Sequence, residues 1–168
     1  METVWYTEPS GNDLPNPAVD QMLGFMRQEY DGNWGPYSPV GVLRWYEHSP
    51  QPEPSLVGLG LKSEVCQLLF VRHPERGWFF EFSGCGGDRR WLASVGTETG
   101  PEEWVQHWAC GEQTYFLASC FVPQPTAEQV VTDFLATKEP SPAVLWVEFD
   151  GLEPRRDSPT RQGRGDQD

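Results

Sequence analysis

Apolar positions along the chain recur in two periods. From Pro17 to Glu29 they fall at Ala18, Met22, Phe25 and Met26, with Tyr30 just beyond. That i, i+4, i+7, i+8 spacing marks one face of a helix. Asn16-Pro17 supplies an N-cap and a proline at its first position. A second helix is predicted near the end of the chain. Thr126-Ala-Glu-Gln129 has the form of a capping box, and Ala127, Val130, Val131, Phe134 and Leu135 line one face until Pro140 and Pro142 stop it. Between the helices the period falls to two. Strands are predicted over Val40–Glu47, Leu56–Leu61, Val65–Arg72, Gly77–Phe82, Trp91–Val95, Trp104–Ala109 and Thr114–Val122. Ala143–Phe149 is apolar on both faces and reads as an interior strand.

A run of strands with a helix toward each end predicts an α+β fold. Its sheet is expected to be mostly antiparallel, of about six to eight strands, with an N-terminal and a C-terminal helix packed on it. Residues 1–150 are expected to form one domain, with 1–16 as a loosely docked arm. Residues 151–168 lack periodicity and are expected to be a disordered polar tail. At 168 residues such a domain buries enough surface to need neither metal nor disulfide. The four cysteines (Cys66, Cys85, Cys110, Cys120) form no C-x-x-C pair, and no apolar leader precedes them. They are expected to be reduced thiols of a cytoplasmic protein, and no apolar run is long enough to span a membrane.

Charge changes the picture most. There are 25 acidic against 12 basic residues, a net −13, and the tail's four arginines and four acids cancel. The whole −13 therefore falls on residues 1–150. Nucleic-acid binding requires clustered Lys and Arg, and an anionic membrane surface attracts the same residues, so neither partner is expected. The charge either keeps a soluble protein apart by self-repulsion or complements a basic protein partner, since complementary fields speed encounter.

Catalytic constellations are sparse. His107-x-x-Cys110 is the nearest approach to a metal pair, but residues three apart on a strand point to opposite faces. Ser83-Gly-Cys-Gly-Gly lacks both the nucleophile-elbow pattern and the lysine of a phosphate loop. Cys85, beside Asp88-Arg89-Arg90, is the thiol best placed for activation, and a thiol-dependent enzyme is the competing reading. An adaptor subunit of a larger assembly is a third. No cofactor is expected. The candidate interface comprises Trp34 and Tyr37 as aromatic anchors, with Asp88, Glu98, Glu102, Glu103 and Glu112 as an acidic rim at strand ends. The alternatives are that the two aromatics lid the core and that the acids form a wet edge.

One segment resembles a known family. Phe121-Val-Pro123, the helix Thr126–Ala136, Phe134-Leu-Ala-Thr137 running into Lys138-Glu-Pro140, and Ala143-Val-Leu-Trp146 are similar to the closing motif of bacterial immunity proteins. That family belongs to polymorphic toxin systems and is most often encoded beside deaminase-fold toxins. Lys138 stands where its motif has glycine, and the likeness covers about residues 65–150. The resemblance implies a non-enzymatic, cytoplasmic α+β domain that neutralises a cognate toxin by tight binding. An acidic surface would then cover the basic substrate groove of a toxin that acts on nucleic acid.

Overall fold

Residues 3–7, expected to belong to an arm, are instead part of the sheet. Thr3–Thr7 forms strand β1 and Asp13–Pro15 forms β2. The reason is plain in the residues: Thr-Val-Trp-Tyr-Thr alternates, and Val4 and Tyr6 are buried while Trp5 and Thr7 are less so. Asn16 ends this hairpin in the left-handed region at φ 46°, a conformation asparagine tolerates better than most residues. Its side-chain Oδ1 accepts from the Val4 amide at 3.0 Å, and its own amide donates to the Val4 carbonyl. Asn16 therefore closes a strand pair and does not cap a helix.

The computed structural model describes residues 2–28, 34, 39–46, 64–84, 90–94, 104–109 and 112–148. Helix α1 is Val19–Met26, shorter than the predicted Pro17–Glu29, with Ala18 at its N-cap and Met22 and Met26 buried. Then come β3 (Val40–Tyr46), β4 (Glu64–His73), β5 (Gly77–Ser83) and β6 (Arg90–Ser94). After them run β7 (Trp104–Ala109), β8 (Glu112–Leu117), β9 (Phe121–Val122), helix α2 (Gln124–Thr137) and β10 (Leu145–Glu148). The predicted strand Leu56–Leu61 and the tail lie outside the described residues.

The fold is α+β. An eight-stranded sheet runs in the order β10-β6-β5-β4-β3-β1-β2, with β9 paired to the upper half of β5. A second, two-stranded sheet joins β7 to β8. Every described strand pairing is antiparallel. Neither helix is a terminal element: α1 follows two strands, and α2 precedes one.

Three sequence expectations are corrected. Thr114–Val122 is not one strand. A 3-10 turn at Ala118–Cys120 breaks it, so β8 pairs with β7 while β9 crosses to β5. The strand within predicted Ala143–Phe149 is not interior among the described residues. β10 (Leu145–Glu148) pairs with β6 and with no other described strand, Trp146 packs inward and Leu145 is 46% exposed. The capping box does not form, because α2 begins two residues earlier, with Pro123 at the N-cap and Pro125 in its first turn. Gln129 bonds Asp133 instead.

The sheet's two faces are covered differently. On one face Met22, Met26, Ala127, Val130, Val131 and Phe134 of the helices pack on Val4, Tyr6, Leu43, Leu68, Phe70, Phe80 and Phe82. On the other, Phe116, Leu117 and Cys120 of the β8 segment pack on Val40, Val42, Val71, Phe79, Leu92 and Phe121. Alternation along each strand makes this division: Phe70 faces the helices and Val71 the hairpin. The β4–β5 turn and β9 approach closely at Gly77, which has φ +92° and no room for a side chain. A Cβ there would lie 2.4 Å from the Val122 carbonyl oxygen.

Candidate interaction surface

Among the predicted anchors, Trp34 is placed clearly, and it is corrected. Its indole is fully buried against Phe70 and edge-on to Trp78, with ring centroids 4.8 Å apart in the latter pair. Its N–H donates to the Phe25 carbonyl at 2.8 Å. An indole satisfied at its only polar atom and enclosed by rings belongs to the core and presents no contact surface. Tyr37, Asp88, Glu98, Glu102 and Glu103 lie outside the described residues, as do Cys85, Cys110 and His48. Glu112 opens β8 opposite Ala109.

The β7–β8 hairpin is the surface the structure adds. Its register pairs Val105 with Phe116, His107 with Thr114 and Ala109 with Glu112 on one side; Gln106 with Tyr115 and Trp108 with Gln113 lie on the other. The first side holds Val105, Ala109 and the buried Phe116, which pack on the sheet. The second carries the exposed Gln106, Gln113 and Tyr115, with Trp108 half-buried beside them. Tyr115 is 42% exposed, which makes it one of two large exposed hydrophobics among the described residues. The Gln106 amide donates to Gln113 Oε1 at 2.8 Å and ties the two strands together on that face. The base of the hairpin turns the other way: Trp104 and Leu117 join the second core as the chain enters the 3-10 turn.

Two aromatics with two amides between them suit protein recognition, since Trp and Tyr supply large contact area and amides adapt their hydrogen bonds. Alternation along the predicted strand Thr114–Val122 would put Tyr115 on one face with Leu117 and Phe121. That alternation did not show that the 3-10 turn at Ala118–Cys120 would separate Tyr115 from Phe121. The available signal was the alternation of residues 104–109 against 112–117 around Cys110-Gly111, which fits a hairpin.

Two cysteines can be placed. Cys66 lies in the helix-side core and Cys120 in the hairpin-side core, and both thiols are buried. Burial pushes the Cys120 thiol up to about 11, only partly offset by a hydrogen bond with Ser119. A thiol held so far above neutrality is a poor nucleophile. No group of three or more His, Cys, Asp or Glu able to hold a metal occurs among the described residues. No helix among them is long and apolar enough to cross a membrane.

His73 and His107 do come together, with ring centroids 4.7 Å apart. Each has a ring nitrogen committed to the backbone. His73 Nδ1 accepts the amides of Glu75 and Arg76, both at 3.2 Å, and His107 Nε2 lies 2.9 Å from the Arg72 carbonyl.

At the end of α2, Lys138 takes the left-handed conformation at φ 65°. Its amide donates to the Phe134 carbonyl at 2.9 Å, its ammonium donates to the Leu135 carbonyl, and its own carbonyl accepts the Cys66 thiol at 3.2 Å. Glycine takes this helix-ending conformation without steric cost. Here a lysine holds it with its side chain folded back on the helix. Ser141 then bonds Asp133, and the Trp146 indole donates to the Ser141 carbonyl, so the chain from α2 into β10 is fixed. Comparison with known proteins adds no relative: no family model matches this chain, and no curated protein does.

Proposed function

We propose that this chain is an immunity protein, which binds a cognate bacterial toxin and neutralises it by covering a basic substrate site with an acidic surface. The observation that carries this reading is the net charge of −13, all of it on residues 1–150. A toxin acting on nucleic acid needs a basic groove to hold phosphates, and a field of opposite sign steers such a partner to this one. A deaminase-fold toxin is the class the closing-motif resemblance favours.

The hairpin supports the same reading. Glu102 and Glu103 immediately precede β7 and Glu112 begins β8, so acids flank Gln106, Trp108, Gln113 and Tyr115 in the chain. With Trp34 withdrawn into the core, Trp108 and Tyr115 take over as aromatic anchors. Lys138 also supports it, since the residue that replaces the family's glycine adopts the backbone conformation for which glycine is used.

The test is co-expression with the toxin encoded in the neighbouring reading frame, reading cell survival and the association rate of the purified pair. The parent chain should protect. Joint replacement Glu98→Lys, Glu102→Lys and Glu103→Lys should slow association by about tenfold or more and abolish protection. Full protection by the triple variant would place the interface elsewhere, and no protection by the parent chain would sink the immunity reading.

A further inference from the structure

The His73–His107 contact joins two parts of the fold that otherwise meet mainly through apolar packing. His73 ends β4 and faces the hairpin, and His107 is the middle of β7. The proton positions on the bonded nitrogens follow from their partners. His73 Nδ1 accepts two backbone amides, so it carries no proton and the ring's hydrogen sits on Nε2. The Arg72 carbonyl only accepts, so His107 Nε2 donates to it. The His73 ring is then neutral, and a phenylalanine stands beside each ring. His73 stands edge-on to Phe121 at 5.5 Å, and His107 edge-on to Phe116 at 6.4 Å.

We propose that this histidine pair is a proton-operated latch, which holds the β7–β8 hairpin on the sheet in neutral solution and releases it on mild acidification. A proton arriving at His73 Nδ1 would confront two amide N–H groups that now donate to it. Both hydrogen bonds would be lost, and a positive ring would lie against His107.

The charges around His73 act in the same direction on balance. Burial lowers its pKa from the ordinary 6.5, and His107 and then Arg76 lower it further, while Glu75 opposes them. The Arg72 side chain turns to the other face, where it donates to the Gln28 carbonyl and lies over the Trp78 ring. Among the described ring contacts of the pair, Phe121 of β9 and Phe116 of β8 carry no charge. A histidine whose folded pKa is depressed stabilises the docked state fully above 6.5. That contribution is lost as pH falls from 6.5 through the folded value.

The experiment is amide hydrogen exchange of the full chain at pH 7.5 and 5.5, corrected for intrinsic exchange rates. Amides of β7 and β8 should open about three- to tenfold more often at the lower pH, while those of α2 hold their protection. In His73→Asn, whose side-chain oxygen still accepts amides but does not titrate, the hairpin's acid response should vanish. Unchanged hairpin protection in the parent, an equal loss in α2, or an unaltered acid response in the variant would each overturn the latch. If the variant does not fold, the parent's imidazole resonances decide. His73 should titrate below 6.5 with its proton on Nε2, and a midpoint at or above 6.5 overturns the proposal.

Discussion

The two faces of the sheet are built to different standards. The helix side concentrates the largest side chains: Trp34, Trp78, Tyr6, Phe70 and Phe80 are all essentially buried and in ring contact around Phe70. Its buried polar atoms are largely tied. Trp34 bonds Phe25, and the Trp78 indole donates to Gln124, which also bonds Glu128. Arg27 and Glu128 close the outside with a two-pronged ion pair. The hairpin side rests on Phe79, Phe116 and Phe121 with smaller aliphatics, and the titratable pair His73–His107 sits at its margin. One face is a frame fixed by helices, and the other is a cover attached by two short strands. Local opening free energies follow such differences in buried contact, so the hairpin should open before the helices do.

The largest effect is expected at the centre of the frame. Phe70→Ala removes a fully buried ring that touches Tyr6, Trp34, Trp78 and Phe80. It should cost about 3–5 kcal/mol in chemical denaturation, through lost transfer energy and an unfilled cavity. Gly77→Ala should come next, at about 2–4 kcal/mol. Its methyl would meet the Val122 carbonyl at 2.4 Å in a left-handed conformation, and backbone cannot step aside as a side-chain tip can. Phe116→Ala, in the cover, should cost about 1–2 kcal/mol globally, because the hairpin can settle or open locally around the gap. A Phe116→Ala loss equal to that of Phe70→Ala would mean that the two faces carry equal load, and the contrast would fail.

Much of this division was legible in the sequence. The helical stripes through Met22 and Met26, and through Val130, Val131 and Phe134, are the residues that α1 and α2 bury. The alternations of β3, β4 and β5 lie within a residue or two of where they were predicted. What was not legible depended on events with no periodic signature. β1 is short and sits among polar turn residues, so composition outweighed its alternation. The 3-10 turn at Ala118–Cys120 interrupts what reads as one continuous strand, and only the pairing of Phe121 with Phe79 shows why the chain leaves β7 there. β10 is apolar enough for an interior position, but β6 is its only described partner strand. Of the candidate interface, composition gives only the net charge of the chain. It could not separate an aromatic anchor from a core residue, because Trp34 and Tyr115 are both ring-bearing residues near glycines and differ only in tertiary burial. The histidine contact spans residues 73 and 107, and no spacing rule links positions so far apart.

The finest test of the contrast uses the two placed thiols, since Cys66 belongs to the frame and Cys120 to the cover. Neither should react in the closed molecule: Cys66 is buried and donates to the Lys138 carbonyl, and burial holds Cys120 at about 11. Labelling therefore reports opening. With a thiol reagent at pH 8 and peptide mapping by mass spectrometry, Cys120 should modify about tenfold faster than Cys66, because the hairpin need only lift to bare it. Low urea should separate them further. The Cys66 rate should climb with the full slope of global unfolding, and the Cys120 rate with a fraction of it, since a local opening exposes less surface. Equal rates with equal slopes would show that both thiols become accessible in one cooperative event. The cover would then open only when the frame does, and the acid latch would have no separate element to release.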